Sequence, residues 1–251
     1  MKNQHTRKTI LITGASSGIG AGLAREFAAR GHNLALCARR TERLEQLRSE
    51  LAGSGVRIAC YALDVNQHDQ VFAVFEQVAQ EFGTLDRVIV NAGVGDGRRI
   101  GKGYFEQNRH IAETNFIGAL AQAEAAVGIF RRQNAGHLVL IASISARRGL
   151  PGHLTTYAAS KAAVAHLGEG ITADLMQTPI RVSTIFPGYI RTELNQSAGK
   201  LPFEVDAASG ARLLAHAIAR EPRTASVPAW PWTLIGVLMR ILPLRLISRM
   251  N

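Results

Sequence analysis

Tyr157 and Lys161 are four positions apart in Tyr157-Ala158-Ala159-Ser160-Lys161, at the head of an alanine-rich stretch. On a helix, positions i and i+4 share a face, so this spacing brings a phenol and an ammonium together. A free tyrosine has a pKa of ~10, too high for a proton carrier near neutral pH. A fixed cation ~4 Å away, at an effective dielectric of ~20, is worth ~4 kcal/mol, or about three pKa units. A phenol tuned in this way could both give and take a proton. The same five residues also fit an ordinary helix surface, so the weight falls on the rest of the chain.

The elements that must hold this pair alternate between strand-like and helix-like runs, as a parallel sheet with crossover helices requires. Residues 8–13 read as a buried strand, followed by a glycine turn and a helix to residue 30. Strands are expected at 33–38, 57–63, 87–90, 137–142 and 181–186. Between them lie a helix carrying Leu44, Leu47 and Leu51, a 3.6-period stripe from Val71 to Phe82, and a long helix over 105–133. The Tyr157 helix is expected over 155–177. With no repeat, low-complexity tract or linker, residues 1–251 read as one domain. The fold class is α/β, a Rossmann-type doubly wound parallel sheet with helices on both faces, in three α/β/α layers.

Thr13-Gly14-Ala15-Ser16-Ser17-Gly18-Ile19-Gly20 lies between the first strand and the first helix. Gly14 allows the tight turn, Gly18 a close approach to a pyrophosphate, and Gly20 tight packing of helix on sheet, with free N–H groups facing the anion. Its spacing is Gly-x-x-x-Gly-x-Gly. With Asn91-Ala92-Gly93, Asn115, Ser143, Tyr157-x-x-x-Lys161 and Pro187-Gly188, in this order over about residues 8–195, the chain resembles the short-chain dehydrogenase/reductase superfamily in its single-domain form.

The resemblance implies that Tyr157 is the general acid/base and that Lys161 lowers its pKa and holds the nicotinamide ribose. It makes Ser143 the hydrogen-bond partner of the substrate oxygen, and Asn115 the holder of a water in a proton relay through Lys161. Ser143 lies 14 residues before Tyr157, about one more than usual; the extra residue is assigned to the 152–156 turn, and Ser145 is the alternative serine. Cofactor contacts are expected from Gly14, Ser16, Ser17, Gly18, Ile19, Gly20, Asn91, Ala92, Gly93, Tyr157, Lys161, Pro187, Gly188, Ile190 and Thr192, with Asp64 and Val65 at the adenine. No metal is expected. The implied chemistry is hydride exchange with a ketone, aldehyde or alcohol, where a serine hydroxyl and a tuned phenol stabilise and protonate the alkoxide. A 3-oxoacyl thioester and a steroid- or lipid-like ketone are two candidate substrates. The alternative is a non-catalytic NADP(H)-binding regulator on the same fold, which would not need the phenol.

The second strand ends at Cys37-Ala38-Arg39-Arg40-Thr41, with two arginines where a carboxylate would mark a free ribose 2′-hydroxyl. Cations are disfavoured at a helix N-terminus, so the pair Arg39 and Arg40 calls for an anion, and NADP(H) is the expected cofactor. The alanines at 158, 159, 162, 163 and 165 give the Tyr157 helix two apolar faces, one for the sheet and one for an identical subunit, implying a homodimer or homotetramer.

The net charge of +10 comes from scattered cations without a nucleic-acid motif, so no nucleic acid is expected. Cys37 and Cys60 suit free thiols in a reducing compartment, and the basic start lacks a secretory apolar region; a cytoplasmic protein is expected. The substrate pocket is expected from loops 95–103, 147–154 and 189–201. The tail, 222–251, carries Arg223, Arg240, Arg245 and Arg249, Trp230 and Trp232, many aliphatic residues, and no acid. Pro243 should break any helix there. Three uses stay open: a pocket lid, a subunit contact, or a peripheral contact with an anionic membrane.

Overall fold

The computed structural model describes residues 8–196 and 199–248. The basic N-terminal residues to Arg7, Ser197 and Ala198 of the expected pocket, and Arg249 lie outside the described residues. Seven parallel strands run in the order β3-β2-β1-β4-β5-β6-β7. They are β1 Thr9–Thr13, β2 Asn33–Ala38, β3 Ile58–Ala62, β4 Arg87–Val90, β5 Gly136–Ile141, β6 Ile180–Pro187 and β7 Thr224–Val227. Side chains alternate across each strand. Ile10 and Ile12 of β1 therefore enter one apolar layer while Leu11 enters the other.

The first layer is roofed by α1 Gly18–Ala29, α2 Thr41–Glu50 and α7 Ala207–Ala219, through Leu23, Phe27, Leu44 and Leu214. The second is roofed by α3 His68–Phe82, α5 Gly118–Gln133 and α6 Thr155–Asp174, through Val71, Phe75, Phe130 and Val164. This is the doubly wound α/β/α sandwich. Its chain reverses direction of winding between β1 and β4, and in such sheets ligands bind outside the carboxyl ends of the strands at that crossing.

Two expectations are corrected. The helix expected over 105–133 is three pieces: α4 Phe105–Ala112, a π-helical turn at Glu113–Ile117, and α5. The turn surrounds Asn115, whose amide is bonded across to the Val94 backbone rather than lying along a helix surface. The tail is not all appendage, because Thr224–Val227 is the edge strand β7 of the sheet. Only beyond it do α8 Trp232–Ile241 and α9 Leu244–Ile247 form a separate flap, interrupted at Pro243.

At the end of the sheet remote from that crossing, a polar row crosses the strands. The buried Arg87 Nε donates to His137 Nδ1 at 2.8 Å, His137 Nε2 lies 2.8 Å from Ser183 Oγ, and Ser183 Oγ donates to the Pro222 carbonyl. Arg87 also pairs with Glu221 at 3.1 Å.

Candidate active site

The carboxyl ends of β1 and β4 are stitched together by Thr13 and Asn91. Asn91 Nδ2 donates to the Thr13 carbonyl at 2.9 Å, and the backbone N–H groups of Asn91 and Ala92 both donate to Thr13 Oγ1. This leaves no room between the glycine turn and the Asn91–Ala92 backbone. A Cβ on Gly14 would lie 2.9 Å from Ala92 Cα, on top of a left-handed φ of 64°. A Cβ on Gly20 would overlap the Gly14 carbonyl oxygen. Ser17 stands at the N-terminus of α1, so the turn and the helix end form an anion cradle of backbone groups.

Arg40 reaches this cradle. Its Nε and a terminal nitrogen lie 3.2 and 3.1 Å from Ser16 Oγ, and the same terminal nitrogen lies 2.7 Å from Ser17 Oγ. Arg39, paired with it in the sequence reading, is exposed and makes no such bond among the described residues. The second cation beside Arg40 is Arg43: Glu193 spans the two, 3.2 Å from Arg40 and 2.6 Å from Arg43. Position 43 lies one helical turn beyond 40, and that spacing was the available signal. Asp64 lies just past β3, where its Oδ1 accepts from the Asn66 N–H at 3.1 Å, and the buried Val65 abuts Gly118. These residues suit a dinucleotide: a steric cradle for pyrophosphate, hydroxyls and guanidinium at the ribose.

The catalytic candidates gather at the ends of β5 and α6. Ser143 follows β5, and its Oγ caps the short turn Ile144–Arg147 by accepting from the Ser145 N–H at 3.2 Å. Ser143 stands beside the Tyr157 phenol, near enough to pull its pKa down. Ser145, the alternative, is buried, and its hydroxyl has no hydrogen-bond partner among the described residues. The turn Gly152–Leu154, with Gly152 at φ 71°, lies where the extra residue before Tyr157 was assigned.

Lys161 is buried on α6, and its Nζ donates to the Ile141 carbonyl at 2.9 Å. Burial pulls its pKa down to about 8. Asn115 Nδ2 donates to the Val94 carbonyl at 2.9 Å and to Ser160 Oγ at 3.1 Å, and Asn115 Oδ1 accepts from the Val94 N–H. A Cβ on Gly93 would fall 3.0 Å from Asn115 Oδ1 and 3.5 Å from Lys161 Nζ. Gly93, Asn115 and Lys161 thus meet in one place.

The expected effect of Lys161 on the phenol is corrected. The Tyr157 pKa stands above the ordinary value, first because of burial and further because of the neighbouring Tyr189 phenol; Ser143 pulls the other way. Burial is the largest influence, and Lys161, whose Nζ is turned to the Ile141 carbonyl, has no part in the shift.

Pro187 ends β6 and Gly188 follows it. Ile190 is buried and bridges to Val205, and Thr192 abuts Gly18 at 3.4 Å from where a Cβ would stand. Trp232, read in the sequence as part of the apolar tail and not singled out as a site residue, covers Gly188 with its indole and meets Tyr189 edge-on at 5.0 Å and Phe203 at 6.3 Å. It anchors α8 over the site beside Ile144, Leu150 and Met239, while Arg148 donates to the Leu242 carbonyl at 3.1 Å. Outward from this anchor, Leu234, Val237, Leu238 and Ile241 are exposed. Among the described residues no helix is long and apolar enough to cross a membrane.

The short chain dehydrogenase family model matches residues 8–201. An uncharacterized oxidoreductase of Mycobacterium tuberculosis is 50% identical over 246 residues, covering 97% of each chain. Among solved structures, a short-chain dehydrogenase from Sphingobium yanoikuyae in complex with NADPH superposes with a TM-score of 0.81 at 29% identity, covering 92% of this chain and 91% of that one. A short chain dehydrogenase/reductase from Burkholderia phymatum in complex with NAD gives 0.84 at 23% identity over 97% and 96%, a likeness of fold.

Proposed function

The chain belongs to the short-chain dehydrogenase family and is an oxidoreductase, and from that premise we propose that it is an NADP(H)-dependent enzyme interconverting an apolar ketone or aldehyde with its alcohol. The observation that carries the reading is the gathering of Ser143, Tyr157, Asn115 and Lys161 at the ends of β5 and α6, with Lys161 buried and its Nζ held by the Ile141 carbonyl at 2.9 Å. The nicotinamide supplies hydride equivalents when bound. Tyr157 holds the proton exchanged with the substrate oxygen, and Ser143 donates a hydrogen bond to that oxygen. Lys161 and Asn115 hold the ribose and a path for proton resupply. Arg40, at the glycine loop, supports the choice of NADP(H), because each charged hydrogen bond to a 2′-phosphate contributes about 1.5–3 kcal/mol.

Ile144, Leu150, Tyr189, Phe203 and Trp232 give the pocket an apolar, aromatic wall, which favours a lipid- or steroid-like ketone or a 3-oxoacyl thioester over a small polar substrate. The alanine face of α6, with Ala159 exposed, supports a homodimer or homotetramer. We place the enzyme in the cytoplasm, with α8–α9 acting as lid and as a loose contact with anionic membranes.

The test is NADPH and NADH consumption over a panel of apolar carbonyl compounds, beside Tyr157→Phe. The wild type should prefer NADPH by one to three orders of magnitude, about 1.4–4 kcal/mol. Tyr157→Phe should lose turnover by about a thousandfold or more while binding NADPH within about threefold of wild type. Turnover equal to wild type in the variant would refute the mechanism, and no turnover in either would favour the regulator.

A further inference from the structure

Glu193 has no part in the chemistry above, yet it occupies the place where that chemistry needs an anion. One carboxylate oxygen lies 3.2 Å from Arg40 and the other 2.6 Å from Arg43, so a single acid spans both guanidinium groups. Arg40 is at the same time bonded to the hydroxyls of Ser16 and Ser17 in the glycine loop. Two guanidinium groups and two hydroxyls therefore converge, and the charge they gather exceeds what one carboxylate carries. A phosphate monoester, with three acceptor oxygens and close to two negative charges, matches that set better.

The acid sits on a segment with its own place in the cleft. Thr192 abuts Gly18 of the phosphate turn, and Leu194 lies 3.0 Å from where a Cβ on Gly95 would stand. Thr192 and Asn195 cap each other, so Glu193 is held on a short rigid turn and not on a loose loop. When the carboxylate grips Arg40 and Arg43, residues 190–196 are tied across the mouth between the glycine turn and the 94–103 loop.

We propose that Glu193 is an internal competitor for the 2′-phosphate: it holds the Arg40–Arg43 clamp closed on itself, and the phosphate must displace it, freeing the 190–196 segment. This rests on the NADP(H) reading above and adds Arg43 as the second phosphate ligand. A ligand without the 2′-phosphate leaves the clamp closed. Binding of the phosphorylated cofactor and loosening of the segment beside the substrate site are then one event, and the discrimination between the two cofactors is smaller than the arginines alone would give.

The test uses the cofactor-free full chain, with adenosine 2′,5′-bisphosphate and adenosine 5′-monophosphate as probes in titration calorimetry. Glu193→Gln should tighten the bisphosphate about three- to tenfold, the range expected for releasing two exposed ion pairs, and leave the monophosphate within about twofold. In the wild type, amide hydrogen exchange over 190–196 should rise on adding the bisphosphate and stay unchanged with the monophosphate. Unchanged or weaker bisphosphate binding in Glu193→Gln, or no change in exchange, overturns the proposal. Failure of the underlying reading is separately visible: a wild type that binds both probes equally, and an Arg40→Ala variant that changes neither, would remove the phosphate site itself.

Discussion

At the crossing of β1 and β4 the chain passes so close to itself that one methyl group has no room, whereas on the outer face of α8 whole leucine and isoleucine side chains stand in solvent. The first region is fixed by backbone: glycine φ angles, the Asn91 amide, the Thr13 hydroxyl. The second is fixed at one root, Trp232, and by carbonyl bonds from Arg148, and the rest is free to meet something else. Binding a dinucleotide, whose shape does not vary, calls for the first kind of construction. Enclosing a substrate that must enter and leave calls for the second.

The sharpest test of that contrast is a single methyl in each region. Gly20→Ala should destabilise the fold by about 3 kcal/mol or more and abolish dinucleotide binding, because its Cβ would meet immobile backbone. Gly236→Ala on α8, where the nearest atom is the Ile144 Cδ1 at 3.2 Å, should change stability by less than about 1 kcal/mol. Urea denaturation of both variants decides it; equal losses would erase the distinction.

An intermediate effect is expected at Lys161. Its pKa falls from 10.5 to about 8 because burial disfavours the charged amine. The unfolded chain then binds more protons between those values, so stability rises with pH across that window, and the cost of burial is fully present below pH 8. Lys161→Met should raise the unfolding free energy by about 2 kcal/mol at pH 7, with the gain fading as pH approaches 10.5. Denaturation curves at pH 7 and pH 10 check this, and an equal gain at both would show that the amine is not desolvated.

The smallest expected effect on stability is on the flap's outer face. Replacing Leu238 and Ile241, which are 41% and 71% exposed, with Ser should leave stability within about 0.5 kcal/mol. The same change should abolish sedimentation with anionic liposomes, if Arg240, Arg245 and this face form the membrane contact. Unaltered liposome binding would assign the face to another role.

What the sequence disclosed follows the same division. The strands 33–38 and 87–90 were legible to the residue, since continuous apolar runs between glycine and charged punctuation leave little latitude. The glycine turn was legible because steric necessity is written in residue type. The break at Asn115 was not, because a helical pattern looks alike on both sides of a π turn and only the Val94 partner, 21 residues away, explains it. Arg39 was as plausible as Arg40 by composition, and the choice between them is made by which side of the strand end each leaves. Strand β7 was missed because Thr224-Ala225-Ser226-Val227 is too short and polar to read as sheet without β6 beside it.

The polar row under the sheet has a direction. Arg87 Nε can only donate, so His137 Nδ1 must accept; the ring proton is then on Nε2 and is given to Ser183, whose own proton goes to the Pro222 carbonyl. Every link points the same way, from β4 through β5 and β6 to the approach of β7. The Glu221 carboxylate, paired with Arg87 at 3.1 Å and 3.6 Å from His137 Nδ1, closes the start of the row. The row is one vector of dipoles, and it ties the edge of the sheet that carries the flap back to the sheet's centre.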